Sequence, residues 1–147
     1  MKKTNLKIGI VLKLALFLSL GLQSPDLVRA ASFTVSTSAE LETAVSTANS
    51  NGEADENTLT ADIALENPLT ISSEITIHGD GFTLSHHDPA GDPFRMLQIE
   101  SGGPVILNNI TITDGYLSIG SGSNSAGITI NGGTLTLNNS TISNNTA

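Results

Sequence analysis

The chain contains no cysteine and no tryptophan, and aromatic residues make up only 3% of its 147 residues. The absence of cysteine excludes a disulfide framework, thiol chemistry and Cys-ligated metals. Basic residues are also scarce: beyond residue 30, Arg95 is the only one against thirteen acidic residues, a net charge of −12. Such a surface disfavours nucleic acid, anionic membranes and polyanionic substrates, which all attract positively charged proteins.

Residues 1–30 have the pattern of a secretory signal peptide. Three lysines precede an apolar stretch from Ile8 to Leu22, and small residues follow at Ala30 and Ala31. The stretch is interrupted by Lys13 and is short for a bilayer span of about 20 residues, which favours a cleaved leader over an uncleaved membrane anchor. We therefore predict cleavage near Ala30, secretion or display at the cell surface, and a mature chain with no integral membrane span.

One amphipathic helix is predicted, from Thr37 to about Ser50. Thr37 and Glu40 match a capping box, in which each side chain accepts from the backbone of the other residue. A single apolar stripe at positions i, i+3, i+4 and i+7 follows: Leu41, Ala44, Val45 and Ala48. Gly52 provides a left-handed stop.

Two short segments flank this helix. Ser32–Val35 is predicted as an opening strand, and the acidic stretch from Glu53 to Glu56 is predicted as an exposed loop. We assign residues 31–57 to an N-terminal strand and helix, and residues 58–147 to a second unit.

The second unit alternates short apolar segments with turns. Ile, Leu and Val recur at every second position, which is the pattern of β-strands. The predicted strands are residues 59–65, 69–71, 75–77, 82–84, 96–99, 105–107, 110–112, 127–130, 134–137 and 140–142, with a polar loop at 85–93 and a Gly/Ser loop at 120–125.

Internal repetition predicts how these strands are arranged. Residues 105–112 match residues 135–142 at an offset of 30, and residues 69–77 match them as an earlier copy with one extra residue. The corner between the two strands of a copy is Asn-Asn or Ser-Ser without Gly, so we expect the chain to bend there and not to reverse. A chain that bends and repeats in this way forms a parallel β-helix, an all-β solenoid.

This arrangement predicts specific neighbours. Asn108 lies under Asn138 in the next coil, and aligned Asn side chains can hydrogen-bond in a ladder. Thr111 and Thr141 face outward, while the alternate Ile, Leu and Val residues face the core.

The two ends of the predicted solenoid differ. An open end exposes unpaired strand edges, and the amphipathic helix is suited to cover the first coil as a cap. Residues 142–147 stop in mid-coil with no such device. Repeat proteins need both ends closed, so we expect a continuation of the chain, or a partner, at the C-terminal end.

The stretch from Gly132 to Ala147 resembles the repeats of bacterial surface proteins with a pectin-lyase-like right-handed β-helix, among them polymorphic outer-membrane proteins and autotransporter adhesins. Gly132-Gly133 resembles their Gly-Gly-aliphatic element, with Thr134 before the aliphatic residue, and Ile142 replaces Phe in their Phe-x-x-Asn element. The resemblance implies a right-handed β-helix of about three coils. It also implies an exported, adhesin-like structural or binding module, with glycans or proteins of a host or environmental surface as partners.

A cluster of histidines and aspartates is the candidate metal site. Imidazole and carboxylate groups could hold Zn²⁺ or Ni²⁺, and the aspartates alone could hold Ca²⁺. The candidate ligands are His86, His87, Asp88 and Asp92, near His78 and Asp80. Their spacing fits no defined metal loop, so the sequence predicts a solvated corner loop with no metal and no cofactor.

The alternative function is enzymatic, because polysaccharide lyases and glycoside hydrolases also use the pectin-lyase-like fold. Acidic pairs can act as general acid and base on a sugar. However, about three coils offer a short cleft, and Arg95 alone supplies the positive charge that lyases use to stabilise developing negative charge. No acidic pair, such as Asp80 with Asp88, has a catalytic context, so we predict no catalytic residue.

A third class of function is ice binding, which some β-solenoids perform with flat rows of Thr. Thr76, Thr111 and Thr141 are predicted to form one outward row. Strands commonly place Thr on the outside, so this row is also typical of an ordinary solvated sheet. Asp80 and Asp114, each beside Gly, are predicted to shape turns.

Overall fold

The computed structural model describes residues 29–88, 91–118 and 125–147. These residues form one α-helix, α1 (Ser38–Asn51), and twelve short strands. The strands are β1 (Ser32–Val35), β2 (Asp55–Leu59), β3 (Ile63–Leu65), β4 (Leu69–Ile71), β5 (Ile75–His78), β6 (Thr83–His86), β7 (Leu97–Glu100), β8 (Pro104–Asn108), β9 (Thr111–Thr113), β10 (Ile128–Asn131), β11 (Thr134–Asn138) and β12 (Thr141–Ser143).

The strands form three parallel sheets. Sheet A has the order β1-β2-β5-β8-β11, sheet B has the order β3-β6-β9-β12, and sheet C has the order β4-β7-β10. From β2 onward the chain visits sheets A, B and C in rotation, and every strand pair is parallel. The prediction of an all-β fold built from parallel strands is confirmed, and the order of the strands is consistent with a β-helix.

The strand register confirms the 30-residue repeat in the later part of the chain. Ile75 pairs with Val105, and Val105 with Leu135, at separations of 30 residues. The earlier strands are closer together in sequence: Asp55 pairs with Ile75, 20 residues on. The repeat is therefore regular only where the corner segments have equal length.

The earliest predicted copy of the repeat is wrong. Leu69–Ile71 pairs with Leu97–Ile99 in sheet C, and not with Val105–Leu107. The partner of Val105–Leu107 is Ile75–Ile77 in sheet A. Both segments have the pattern of apolar residues around one Thr, so the pattern alone does not distinguish the two sheets.

Alternation of side chains builds the core, as the sequence predicts. In β9, Ile112 is fully buried while Thr111 and Thr113 are partly exposed. The same alternation recurs in β4 to β8, where successive side chains of a strand point to opposite faces. Burial of these Ile and Leu side chains in one continuous cluster is the main stabilising contribution to the fold.

The helix forms where its sequence signals predict it. Thr37 is the N-cap and accepts a hydrogen bond from the Glu40 amide, while Gly52 ends the helix in the left-handed region with φ 73°. The predicted capping box differs in one contact, because Glu40 Oε2 accepts from the Ser36 amide at 2.8 Å instead of from Thr37. The apolar stripe of α1 is buried, and α1 lies against β1, β2, β3 and β4.

Two predicted boundaries are wrong around the acidic segment. Asp55 and Glu56 belong to β2 and not to a loop, since Asp55, Asn57 and Leu59 point inward at alternate positions. The predicted strand from 59 to 65 is two strands in different sheets, β2 and β3, separated by residues 60–62. Polar residues at inward positions of β2 conceal the alternation on which the prediction relied.

The corners between strands use residues with positive φ. Asn109 and Asn139 both have φ 50°, and Asp80 and Asp114 have φ 51° and 61°. The chain bends at the Asn-Asn corners as predicted, but the bend does use the left-handed region, which Asn tolerates better than other non-glycine residues. The turn-forming role predicted for the two aspartates is confirmed.

The predicted signal peptide falls almost entirely on residues 1–28, outside the described residues, as does most of the predicted Gly/Ser loop. None of the described residues belongs to a helix with the length and apolarity needed to cross a bilayer. The polar loop predicted from 85 begins later than expected, because Ser85 and His86 complete β6.

Candidate functional site

The outward face of sheet B carries a regular array of hydroxyl groups. We call this array the hydroxyl face; it consists of Thr83, Ser85, Thr111, Thr113, Thr141 and Ser143. Strand pairing places Thr83 beside Thr111 and Thr111 beside Thr141. The second row has the same register and runs through Ser85, Thr113 and Ser143. The result is two parallel rows of three hydroxyls.

The hydroxyl face differs from the single Thr row that the sequence predicts. Thr111 and Thr141 share a row as expected, but Thr76 lies on sheet A, in register with Ile106. The member missing from the predicted row is Thr83, which the 30-residue offset missed because it lies 28 residues before Thr111. The Thr-Leu-Ser pattern at 83–85, repeated as Thr-Ile-Thr and Thr-Ile-Ser, is the sequence signal that identifies the face.

Sheet geometry sets the spacing of this array. Hydroxyls two residues apart on one strand are separated by roughly 6.6 Å, and neighbouring strands by about 4.8 Å. Each hydroxyl can donate one hydrogen bond and accept others. The six side chains are exposed or half-buried, so the face can hydrogen-bond a ligand that presents hydroxyls of its own.

A second polar cluster lies on sheet C. Gln98 Nε2 donates to Glu100 Oε1, and Asn131 Nδ2 donates to the same oxygen at 3.1 Å. These two bonds, that from Gln98 foremost, lower the pKa of Glu100, with a smaller contribution from the charge of Arg95. Two amides and one carboxylate on a solvent-facing surface offer both donors and acceptors to a polyol.

His86 is held as a neutral, buried side chain. Its Nδ1 accepts from the Asp88 amide at 3.0 Å, and its Nε2 lies 3.1 Å from the carbonyl oxygen of Asp92. Since a carbonyl only accepts, Nε2 carries the proton and donates it. The ring is 3% exposed and stacks on Phe94 with centroids 3.8 Å apart. Burial is the main cause that lowers the pKa of His86.

This geometry bears on the candidate metal ligands. Both nitrogens of His86 are occupied by backbone groups, so neither offers a lone pair to a metal ion. His87 is exposed and stacks near His86, with ring centroids 5.5 Å apart. Within the part of the chain that the structure describes, no group of three or more His, Asp or Glu side chains is placed to hold a metal together.

The acidic residues considered for catalysis lie at different corners. Asp80 follows β5 on the way from sheet A to sheet B, and Asp88 follows β6 on the way to sheet C. Asp80 adopts a left-handed turn conformation. Their positions are those expected of corner residues.

Three large apolar side chains are exposed at the last strand of each sheet. Ile130 in β10 is 50% exposed, and Leu137 in β11 and Ile142 in β12 are each 42% exposed. They stand in register with the buried residues Ile99, Leu107 and Ile112 of the preceding strands. They continue the core row of each sheet.

Two buried polar residues in β2 escaped the sequence analysis. Asn57 is 0% exposed, and neither its side-chain nitrogen nor its oxygen has a hydrogen-bond partner. Asp55 is 1% exposed and accepts hydrogen bonds from the Ala31 amide and from Asn51. An alternating polar pattern beside a helix stop was the available signal, but it resembled an acidic loop.

Comparison with known proteins returns no match of significant score to a family model, a curated protein or a solved structure. The functional argument therefore rests on the geometry of the described residues.

Proposed function

We propose that this protein is an exported, non-catalytic binding module, secreted or held at the cell surface, that binds neutral glycans through the hydroxyl face. The carrying observation is the register of the two Ser/Thr rows on sheet B. In this proposal the rotation of the chain through three sheets is a right-handed parallel β-helix of pectin-lyase-like type, with residues 31–57 at one end and residues 58–147 forming the coils.

The position of α1 supports its role as a cap. The helix lies against β1 and β2 of sheet A, β3 of sheet B and β4 of sheet C, which are the first strands of their sheets. Its buried stripe meets the apolar interior at that end. A helix in this position prevents the first strands from pairing with other molecules.

Chemistry selects neutral glycans among surface ligands. Sugar hydroxyls are complementary to a regular array of Ser and Thr, and the amide–carboxylate cluster of Gln98, Glu100 and Asn131 adds further donors and acceptors. The net charge of −12 in residues 31–147 repels polyanionic glycans. An adhesin-like role follows from such binding at the cell surface.

The test uses the exported, processed protein on a panel of neutral and acidic polysaccharides. In one variant, Thr111→Val and Thr113→Val together remove two hydroxyls from the hydroxyl face. The matched control carries Thr76→Val and Thr136→Val on sheet A, where the two residues lie on strands that flank β8. Valine preserves strand propensity in both.

We expect the wild-type protein to bind a neutral glycan and the sheet B variant to bind it about tenfold more weakly, since each lost hydrogen bond contributes about 0.5–1.5 kcal/mol. The control should retain its affinity. Equal losses in both variants, or binding to a surface protein instead of any glycan, would refute the glycan assignment. Release of unsaturated product from polygalacturonate with Ca²⁺ would establish the enzymatic alternative, a polysaccharide lyase, instead.

Ice binding is the second candidate, because the structure contains two in-register rows and the sequence predicts only one. A grid of hydroxyls at fixed spacing can order water. Thermal hysteresis that Thr113→Lys abolishes and Thr136→Lys leaves unchanged would favour ice over glycans.

A further inference from the structure

The backbone nitrogen of Ala31 lies on a buried carboxylate. Ala31 N donates to Oδ1 of Asp55, and Asn51 Nδ2 donates to Oδ2 of the same residue at 2.7 Å. The carbonyl of Ala31 accepts from the Glu56 amide at 3.0 Å, so the residue is held at both its nitrogen and its oxygen. Asp55 itself is 1% exposed.

The donors that meet Asp55 in the full-length chain, an amide and a side-chain amide, are neutral. A buried carboxylate is costly unless it is paired and hydrogen-bonded. The segments around it supply further acids: Glu53 before β2, Glu56 beside Asp55 in β2, and Glu74, whose carbonyl accepts from the Asp55 amide. Arg95, the one basic residue beyond residue 30, precedes β7 in sheet C.

The sequence predicts cleavage of the leader between Ala30 and Ala31. Hydrolysis of that peptide bond by water leaves a carboxylate on Ala30 and an amine on Ala31, which takes up a proton at neutral pH because an α-amino group has a pKa of about 7.7–8.0. The atom that contacts Asp55 then changes from a neutral amide nitrogen to an ammonium.

We propose that signal-peptide cleavage at Ala30–Ala31 creates the counter-ion of Asp55, so that the new N-terminus of the mature chain forms a buried ion pair that stabilises the start of sheet A. This inference rests on the export part of the proposed function and not on glycan binding. Charge-assisted hydrogen bonds are about twice as strong as neutral ones. The processed chain should therefore hold Ala31, β1 and β2 together more firmly than the uncleaved chain.

The composition of the chain makes this pair accessible to a clean chemical test. Every lysine lies before residue 14, so the α-amine of Ala31 is the only primary amine in residues 31–147. Acetylation of the processed protein removes the positive charge from this one group. Reductive dimethylation modifies the same nitrogen but leaves it a cation, which makes it a matched control.

The experiment starts with the protein exported and processed from its full chain, with the new N-terminus identified by mass spectrometry. We expect Ala31 at the terminus, a fall in Tm of about 5 °C or more on acetylation, and a much smaller fall on dimethylation. In Asp55→Asn, acetylation should no longer change Tm beyond about 1 °C. Glu56→Gln removes an exposed charge next to Asp55 and should leave the acetylation effect intact.

Three results would overturn the proposal: cleavage at another bond, equal effects of acetylation and dimethylation, or an undiminished acetylation effect in Asp55→Asn. If Asp55→Asn does not fold, the contrast between the two modifications of the wild-type protein decides the question alone. Loss of glycan binding as a result would leave this proposal standing, since Tm and the terminus are measured independently of any ligand.

Discussion

Asn138 Nδ2 donates a 2.8 Å hydrogen bond to Asn108 Oδ1, which lies 30 residues earlier in the chain. The residues that follow them, Asn139 and Asn109, share the same left-handed φ of 50°, and the Asn109 amide donates to the Asn138 carbonyl at 2.8 Å. The ladder ends at the next strand, where His78 stands in register with Asn108. Two corners of the chain are thus superimposed in backbone and side chain.

Asn109 should tolerate glycine but not a β-branched residue. Its φ of 50° disfavours Val, so Asn109→Val should lower the free energy of unfolding by about 1–2 kcal/mol, while Asn109→Gly stays within about 1 kcal/mol of wild type. Asn108→Val provides the matched control, because Asn108 lies within β8 and loses only its side-chain hydrogen bond. Urea unfolding measures all three, and a cost for Asn108→Val above that of Asn109→Val would contradict the assigned corner.

Gly102 should resist substitution by alanine. A Cβ at this position would stand 1.8 Å from the Ser72 carbonyl oxygen, a backbone atom that cannot move aside cheaply. We expect Gly102→Ala to lower the free energy of unfolding by at least about 2 kcal/mol, as overpacking does in dense interiors. Ser101→Ala, at the exposed neighbouring position, should change stability by less than about 0.5 kcal/mol in the same denaturation experiment. Similar values for the two variants would refute the close approach of residues 72 and 102.

His86 should make stability depend on pH in the range 5.5–7.5. Burial lowers the pKa of His86 in the folded chain below its usual value of about 6.5. Below that value the unfolded chain binds more protons than the folded chain, so stability should be full near pH 7.5 and should fall as the pH drops towards the folded-state pKa. The carboxylates of Glu40 and Glu100, whose pKa values are also lowered, act only at more acidic pH.

Urea midpoints at pH 7.5, 6.5 and 5.5 measure this dependence. His86→Gln should flatten it, and should also lower stability at pH 7.5 because the stacking on Phe94 is lost. His87→Gln, at the exposed adjacent position, should preserve the slope. An unchanged slope in His86→Gln would show that another group titrates.

Much of the architecture follows from local sequence patterns. The helix, its N-cap Thr37 and its C-cap Gly52 are local signals, and the structure confirms them. The pairing of Val105 with Leu135 follows from a repeat of constant length. The pairing of Leu69 with Leu97 could not be predicted in this way, because the shorter connection leaves two similar apolar segments to choose between.

The surface and the buried polar groups were harder to predict. The Thr83 row depends on a 28-residue offset that is visible only when sheet B is assembled. Asp55 is acidic and precedes a strand interrupted by polar residues, so its local sequence indicates a solvated loop. What buries it is the packing of β1 and α1 against β2, a tertiary effect that overrides local preference.

The most direct test of the account is a pair of engineered cysteines in a chain that has none of its own. Thr111 and Thr141 are register partners on parallel strands, and neighbouring strands place such residues within the Cα separation of about 4.4–6.8 Å that a disulfide needs. Thr111→Cys with Thr136→Cys is the control, since Thr136 lies on sheet A in register with Ile106.

Mild oxidation followed by thiol counting and peptide mapping should show an intramolecular disulfide in the Thr111→Cys, Thr141→Cys protein and free thiols in the control. A reduced or intermolecularly linked first pair, together with closure of the control pair, would contradict the parallel winding on which the hydroxyl face depends.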